Sequence, residues 1–298
     1  MNKSPDNSAF PHINARSVRH DVRAFDYHLS EWGDSSNPLL VMLHGWGDAG
    51  STFQFVVDEL KNDWFVIAPD WRGFGETQGR AESYWFPDYV ADLDALLAIY
   101  SPNAPVTLLG HSMGGNIAGL YAGIFPDRVA KLINVEGFGL ADRDPDDAPD
   151  NYRRWIEKSR QGAAYRDYDS YADLAQRIQQ QNPHMEIEKA LFAATRWARQ
   201  GEDGTVRIKA DPAHKLPNPV LYRRSEAEAC WRRITAEALI VVGADSRFRP
   251  EAVSWLATDA AALPIPSARV VTIENAGHMV HFEQPAALAA VIEEFLSI

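Results

Sequence analysis

The chain has 298 residues, 46% hydrophobic and 23% charged, with a formal charge of −12 at pH 7, which is the balance of a soluble globular protein. So acidic a surface disfavours nucleic acid and anionic membrane as partners. A single cysteine, Cys230, excludes an internal disulfide, and no apolar run approaches the length of a membrane span.

In chain order, residues 1–11 are polar and lack the apolar core of a signal peptide, which with the lone cysteine points to a cytoplasmic protein. Residues 17–22 and 25–32 read as a hairpin. Residues 39–43 form a short, fully apolar run, the mark of a parallel strand buried on both faces. A helix is predicted over 53–60, a strand over 64–68, and a helix over 88–100 with Val90, Leu93, Leu97 and Tyr100 on one stripe. A strand follows from Val106, then a helix from about Asn116, then a strand over 129–135. The character changes near Leu140. Asp142, Asp144, Asp146, Asp147 and Asp150, punctuated by Pro145 and Pro149, make a solvated connector that lacks the glycine and spacing of a calcium loop. Three helical stripes come next: Tyr152, Trp155 and Ile156; Tyr171, Leu174, Ala175 and Ile178; Ile187, Leu191, Ala194 and Ala198. No strand is expected among them, and 201–219 reads as loop. Alternation then resumes with a strand over 238–242, a helix over 250–261, a strand over 269–273 and a final helix from Pro285. The pattern is a parallel-sheet core, residues 1–139 and 230–298, interrupted by a helical insertion over 140–229.

The chemistry sits in the loops of that core. Val106 to Leu109 run as a strand into Gly110-His111-Ser112-Met113-Gly114, and a helix follows. Strand, Gly-x-Ser-x-Gly and helix together form a nucleophile elbow, whose sharp turn lifts the serine hydroxyl above the sheet edge. His278 lies between the last strand and last helix, at the same carboxyl edge, and is the best-placed base among nine histidines. His111, next to the serine, points away and reads as packing. An oxyanion needs backbone donors. The Met113 N–H at the helix start supplies one, and Trp46, in the loop His44-Gly45-Trp46-Gly47 after the strand over 39–43, supplies the other. Cys230 sits in no motif and reads as an inert thiol. Asp70 and Arg72 read as architectural, either pairing with each other or satisfying loop amides.

The motifs His44-Gly45-Trp46-Gly47, Ala68-Pro69-Asp70-Trp71-Arg72-Gly73-Phe74-Gly75, Gly110-His111-Ser112-Met113-Gly114-Gly115 and Asn275-Ala276-Gly277-His278 occur in an order that resembles the α/β-hydrolase superfamily, in its cap-bearing carboxylesterase-like branch. That resemblance implies a mostly parallel eight-stranded sheet with helices on both faces and an inserted helical cap. It also implies a Ser–His–acid triad in the order nucleophile, acid, histidine. In the family the acid commonly lies three residues after the glycine that ends the strand following the cap. Here that position is Ser246, and Asp245 is one residue early. Glu136, ending the apolar run before the cap, is the favoured acid, and Asp245 the alternative. The expected activity is cleavage of a small-molecule ester of small or medium acyl size, with no cofactor and no metal. A C–C bond hydrolase, lactonase or aminopeptidase shares the pattern, as does a non-catalytic ligand-binding receptor. A serine at the elbow disfavours the dehalogenases and epoxide hydrolases, which need a carboxylate there. The sequence leaves homo-oligomerisation open.

Overall fold

The computed structural model describes residues 13–248, 264–266 and 268–297. The polar stretch over 1–11 lies outside them, apart from which the expected helix over 250–261 is also outside the described residues. Eight strands form one sheet in the order β1 (Arg16–Val22), β2 (Phe25–Trp32), β4 (Phe65–Pro69), β3 (Leu39–Leu43), β5 (Val106–His111), β6 (Val129–Val135), β9 (Glu237–Gly243) and β10 (Ala268–Ile273). β1 and β2 are antiparallel, β2 is antiparallel to β4, and the remaining neighbours are parallel. The β1–β2 hairpin turns on Arg23 and Ala24, both with positive φ (47° and 68°), as a two-residue loop matched to strand twist requires.

The central strands are apolar throughout because both faces are covered. In β3, Val41 and Leu43 pack into the layer that holds α2 (Phe86–Tyr100), α3 (Met113–Ile124) and α7 (Arg224–Trp231). Leu40 and Met42 face the opposite layer, with α1 (Gln54–Val57) and α9 (Pro285–Leu296). This is the period-two alternation of a strand between two helix layers. The helix expected over 53–60 is shorter: a 3-10 turn (Gly50–Phe53) precedes α1, and Glu59 and Leu60 donate to carbonyls three residues back, so the end tightens rather than continuing as α-helix. No described helix is long and apolar enough to cross a membrane.

Residues 140–229 hold α4 (Ala148–Gln161), α5 (Tyr171–Gln181) and α6 (Ile187–Trp197). They also hold a two-stranded antiparallel ribbon, β7 (Ala198–Gln200) and β8 (Val206–Ile208), where the sequence suggested no strand, with Ala198 ending a helical stripe and 201–219 a loop. Gly204, at φ 82°, turns the ribbon, and buried Val206 pairs with Tyr168. Two of the stripes behave differently from expectation. On α6 and just after it, Ala194 and Ala198 are buried as expected, but the face against Leu174, Ala175 and Ile178 of α5 is completed by Ala190 and Ala193, while Ile187 and Leu191 are exposed. Alanines let the two helix axes approach closely, which larger side chains would prevent. On α4, Tyr152 and Ile156 are exposed and Asn151 is the buried residue, held by its Nδ2 donating to the Asn218 and Pro219 carbonyls. The segment rests on the core through Phe55 and Phe282, which join the α5–α6 cluster.

Candidate active site

Ser112 joins β5 to α3 with φ 52° and ψ −114°, a backbone state that costs a non-glycine residue roughly 1–3 kcal/mol and needs rigid surroundings to persist. Two glycines make those surroundings. A Cβ on Gly110 would lie 2.3 Å from the Gly114 carbonyl oxygen, and one on Gly114 would lie 2.1 Å from that of Leu43. Strand and helix can therefore close on the turn only without side chains there. The Ser112 N–H is fixed to the Val135 carbonyl at 2.8 Å.

The hydroxyl so presented meets His278. Its Oγ lies 2.9 Å from His278 Nε2, and His278 Nδ1 lies 3.0 Å from Glu136 Oε2. Glu136 follows β6 with φ 60° and a fully buried carboxylate. As a carboxylate is an acceptor, His278 Nδ1 carries the proton and donates to Glu136, leaving Nε2 to accept from the Ser112 hydroxyl. The other Glu136 oxygen accepts from the Gly243 N–H at 2.8 Å, and Oε2 also accepts from the Ser246 hydroxyl at 2.5 Å. Asp245 stands apart: it is half exposed and pairs with His184 at 3.1 Å. Ser246, in the family's common acid position, thus serves Glu136 as a donor.

The loop His44–Gly47 closes over the serine. A Cβ on Gly45 would lie 3.2 Å from Ser112 Cβ, so glycine is what lets this backbone approach. His44 is fully buried, and desolvation holds its pKa below the ordinary imidazole value. The neutral ring accepts from the Trp71 N–H at Nε2 (2.8 Å) and donates from Nδ1 to the Gly45 carbonyl (2.7 Å), which pins the loop. Trp46 is about half exposed, with its ring edge-on to Phe74 at 6.3 Å. Met113 opens α3, so its N–H has no acceptor within the helix.

Residues 38–285 match the family model for the alpha/beta hydrolase fold. The chain belongs to the alpha/beta hydrolase family. This hydrolase is 26% identical over 277 residues to a serine hydrolase-like protein of Danio rerio, covering 89% of this chain and 83% of the relative. It is 25% identical over 280 residues to serine hydrolase-like protein 2 of Homo sapiens, covering 89% and 88%. Among solved structures, the thioesterase domain from the curacin biosynthetic pathway superposes with a TM-score of 0.81 at 22% identity, covering 94% of this chain and 99% of that one, a likeness of fold.

Behind the hydrolase's serine lies a buried brace that the sequence did not reveal. Asp48 Oδ1 accepts from the Ala49 N–H (2.8 Å), the Thr52 hydroxyl (2.8 Å) and Trp197 Nε1 (2.7 Å), and Oδ2 accepts from His281 Nε2 (3.1 Å). Burial works against the Asp48 charge, but the His281 hydrogen bond and its fellow donors hold the carboxyl below the usual carboxylate range. Asp48 therefore ties the loop bearing Trp46, the end of α6 and α8 (Val280–Glu283), which follows His278. His111 is buried as expected of a packing residue. It also donates from Nε2 to the His278 carbonyl at 2.8 Å, and burial pushes its pKa well down, so it stays neutral. Asp48, His111 and His281 bring three potential metal-ligand atoms within 4.8 Å of one another. The Asp48–His281 hydrogen bond already occupies two of these groups.

Of the two architectural roles open to Asp70 and Arg72, Asp70 takes the one of satisfying loop amides, and the two do not pair with each other. Arg72 forks onto buried Asp92 with contacts of 2.5 and 2.6 Å, while Asp70 accepts from His28, the Gly50 N–H and the Glu76 N–H. Asp92, on the face of α2 turned to the core, outcompetes the residue two places away because a fork needs a carboxylate opposite the guanidinium. Cys230 is half-buried, and burial raises its thiol pKa, which keeps it in the unreactive protonated form.

Proposed function

We propose that this hydrolase cleaves a small or medium acyl ester through an acyl-enzyme, with Ser112 as nucleophile, His278 as base and Glu136 as acid. The observation that carries the reading is the continuous chain from Ser112 Oγ to His278 Nε2 (2.9 Å) and from His278 Nδ1 to Glu136 Oε2 (3.0 Å). Ser112 Oγ attacks the acyl carbon as His278 Nε2 takes its proton. The carbonyl oxygen becomes an oxyanion held by the Met113 and Trp46 N–H groups. Glu136 stabilises the imidazolium without taking its proton, and the doubly donated carboxylate stays fixed as it does so. His278 then protonates the leaving alkoxide, and the alcohol departs. Water, deprotonated by the same nitrogen, attacks the acyl carbon, and the C–O bond to Ser112 breaks to release the acid. Residues 140–229, apart from the start of α7, which packs in the core layer, act as the cap over this site, anchored by Trp197 on Asp48 and by His214, which lies between the Phe74 and Tyr84 rings at 3.8 and 3.7 Å. The reading places the enzyme in the cytoplasm, working on a small-molecule ester without a resident cofactor.

The test is a series of p-nitrophenyl esters of graded chain length together with a fluorophosphonate probe. Wild type turns over short and medium esters and is labelled on Ser112. Ser112→Ala loses labelling and at least about 10³-fold in kcat while melting like wild type. Labelling of another residue, or near-normal turnover by the alanine variant, refutes the assignment.

A further inference from the structure

A cavity of about 960 Å³ opens at the far end of α3 from Ser112. Its lining comes from α2, the end of α3, α4, the 217–223 strap and α7, and it includes neither Ser112 nor His278. Ile124 ends α3, 12 residues after Ser112, or roughly 18 Å along the helix at 1.5 Å per residue. The volume falls within the ~300–1,000 Å³ common for small-molecule sites. The walls are apolar and exposed. Trp85, Ile124, Phe125, Leu140 and Val220 each expose more than a third of their surface, all around this one opening. Scattered exposed hydrophobics need no explanation, but a contiguous group of large ones marks a binding surface.

The charges at the opening say what binds. Arg143, Arg154 and Arg223 line it, with Asp94 and Glu226. Arg143 pairs with Asp147, and Asp94 accepts from the Tyr121 hydroxyl. Among the described residues Arg154 donates only to the neutral Asn151 side chain, and neither Arg154 nor Arg223 has a carboxylate within ion-pair distance. Glu226, exposed at the start of α7, has no cation within ion-pair distance among the described residues, so the opening carries two such guanidinium groups against one carboxylate. In a chain of net charge −12, two guanidinium groups without a carboxylate partner at the mouth of an apolar cavity are complementary to one ligand chemistry. That ligand has a single apolar chain and an anionic head. α4 agrees with this, since Arg153, Arg154, Lys158 and Arg160 outnumber Asp150 and Glu157 on it.

We infer that this groove binds a single-chain anionic amphiphile, such as a long-chain carboxylate, as a site separate from the triad. The chain lies along Val90, Leu120 and Ile124, and the head meets Arg154 and Arg223. The inference does not depend on the esterase reading, because none of its residues touches Ser112.

The experiment uses 11-(dansylamino)undecanoate as a monomer, titrated by fluorescence into full-length protein whose Ser112 has been blocked with a fluorophosphonate, or into Ser112→Ala. Saturable one-to-one binding is expected in both. Arg154→Glu/Arg223→Glu weakens it at least about tenfold, as loss of charge-assisted contacts does. Ile124→Trp, which fills the groove, abolishes it. All three changes leave the turnover of a short ester near wild type, which also reports that the variants fold. A dansylated alkylamine of equal length binds poorly. Binding lost on blocking Ser112 would assign the probe to the triad pocket and overturn the inference, as would binding indifferent to the arginine and Ile124 variants. Light scattering that shows a dimer excluding the probe would assign the groove to a second copy of the chain. Sedimentation with vesicles of 3:1 phosphatidylcholine and phosphatidylglycerol, without binding of the monomeric probe, would assign it to a lipid surface. Either result overturns the proposal.

Discussion

Replacing Asp48 with asparagine preserves its shape and removes its charge, and the structure says what that costs. The three donors on Oδ1, from Ala49, Thr52 and Trp197, keep an amide oxygen as acceptor. Each changes from a charge-assisted bond, about 1.5–3 kcal/mol, to a neutral one of about 1 kcal/mol. On the other side the new NH₂ faces His281, whose Nδ1 has no partner among the described residues, so the ring can move its proton to Nδ1 and accept at Nε2. Doing so gives up the charge-assisted bond on Oδ2 and leaves a buried N–H without a partner, a further cost of about 1–3 kcal/mol. The total is on the order of 3–6 kcal/mol, most of it on Oδ1. For a chain of this size it corresponds to a fall in Tm of roughly 5–12 °C. Because Asp48 lies two residues from Trp46, kcat for a short ester should also fall by about tenfold with KM little changed, since loop misplacement harms positioning in the transition state. Thermal melts from pH 8 to pH 3 provide a second readout. The folded Asp48 carboxyl titrates below its ordinary range, so its contribution is complete above that range and lost as pH falls through the folded value. The gap between wild type and Asp48→Asn should be constant near neutrality and close below about pH 4. A Tm shift under about 1 °C at pH 7, or a gap that widens in acid, would refute the idea that a charged Asp48 braces the site.

Three other outcomes follow from the same geometry. Ser246→Ala removes one of the donors on Glu136 and should lower kcat by about tenfold, the worth of one charge-assisted bond, without changing the fluorophosphonate target; an unchanged kcat would reduce Ser246 to packing. His214 is pushed down to about 4 by burial between Phe74 and Tyr84, while its unfolded form titrates near 6.5. Its contribution to stability is therefore complete above 6.5 and lost as pH falls toward 4, by at most about 3 kcal/mol, and His214→Phe should flatten that part of the stability–pH curve. Cys230 should react with Ellman's reagent far more slowly than free cysteine at pH 8, and rapid modification of the native protein would contradict its protonated, sheltered state.

The parts of this molecule that could be read from sequence are those whose meaning is local. The elbow is legible because Gly110, Ser112 and Gly114 must be adjacent for the turn to close. The parallel strands are legible because burial on both faces leaves them no polar positions. Placing His278 and weighing Glu136 against Asp245 needed only strand order, since both lie at strand ends on one sheet edge. Asp48 escaped notice because its partners Trp197 and His281 are 149 and 233 residues away. Sequence leaves Arg72 a choice between Asp70, two residues away, and loop amides, and cannot show Asp92, which the fold brings from α2. Size favours Ile187 and Leu191 for the α6 stripe, but close helix packing selects Ala190 and Ala193 beside Ala194. The ribbon of β7 and β8 has three residues per strand, too short for alternation to register as a signal.

Glu136 as the acid is the assignment that steady-state kinetics of two single variants test most directly. Glu136→Gln keeps the size of the side chain but can neither hold the reactive His278 tautomer nor stabilise its cation, so kcat should fall by about 10³–10⁴-fold at pH 7. Asp245→Asn disturbs only the exposed pair with His184, a contact of the kind worth about 0–1 kcal/mol, and should leave kcat within about twofold of wild type. The reverse pattern, with Asp245→Asn crippled and Glu136→Gln active, would contradict the triad drawn here.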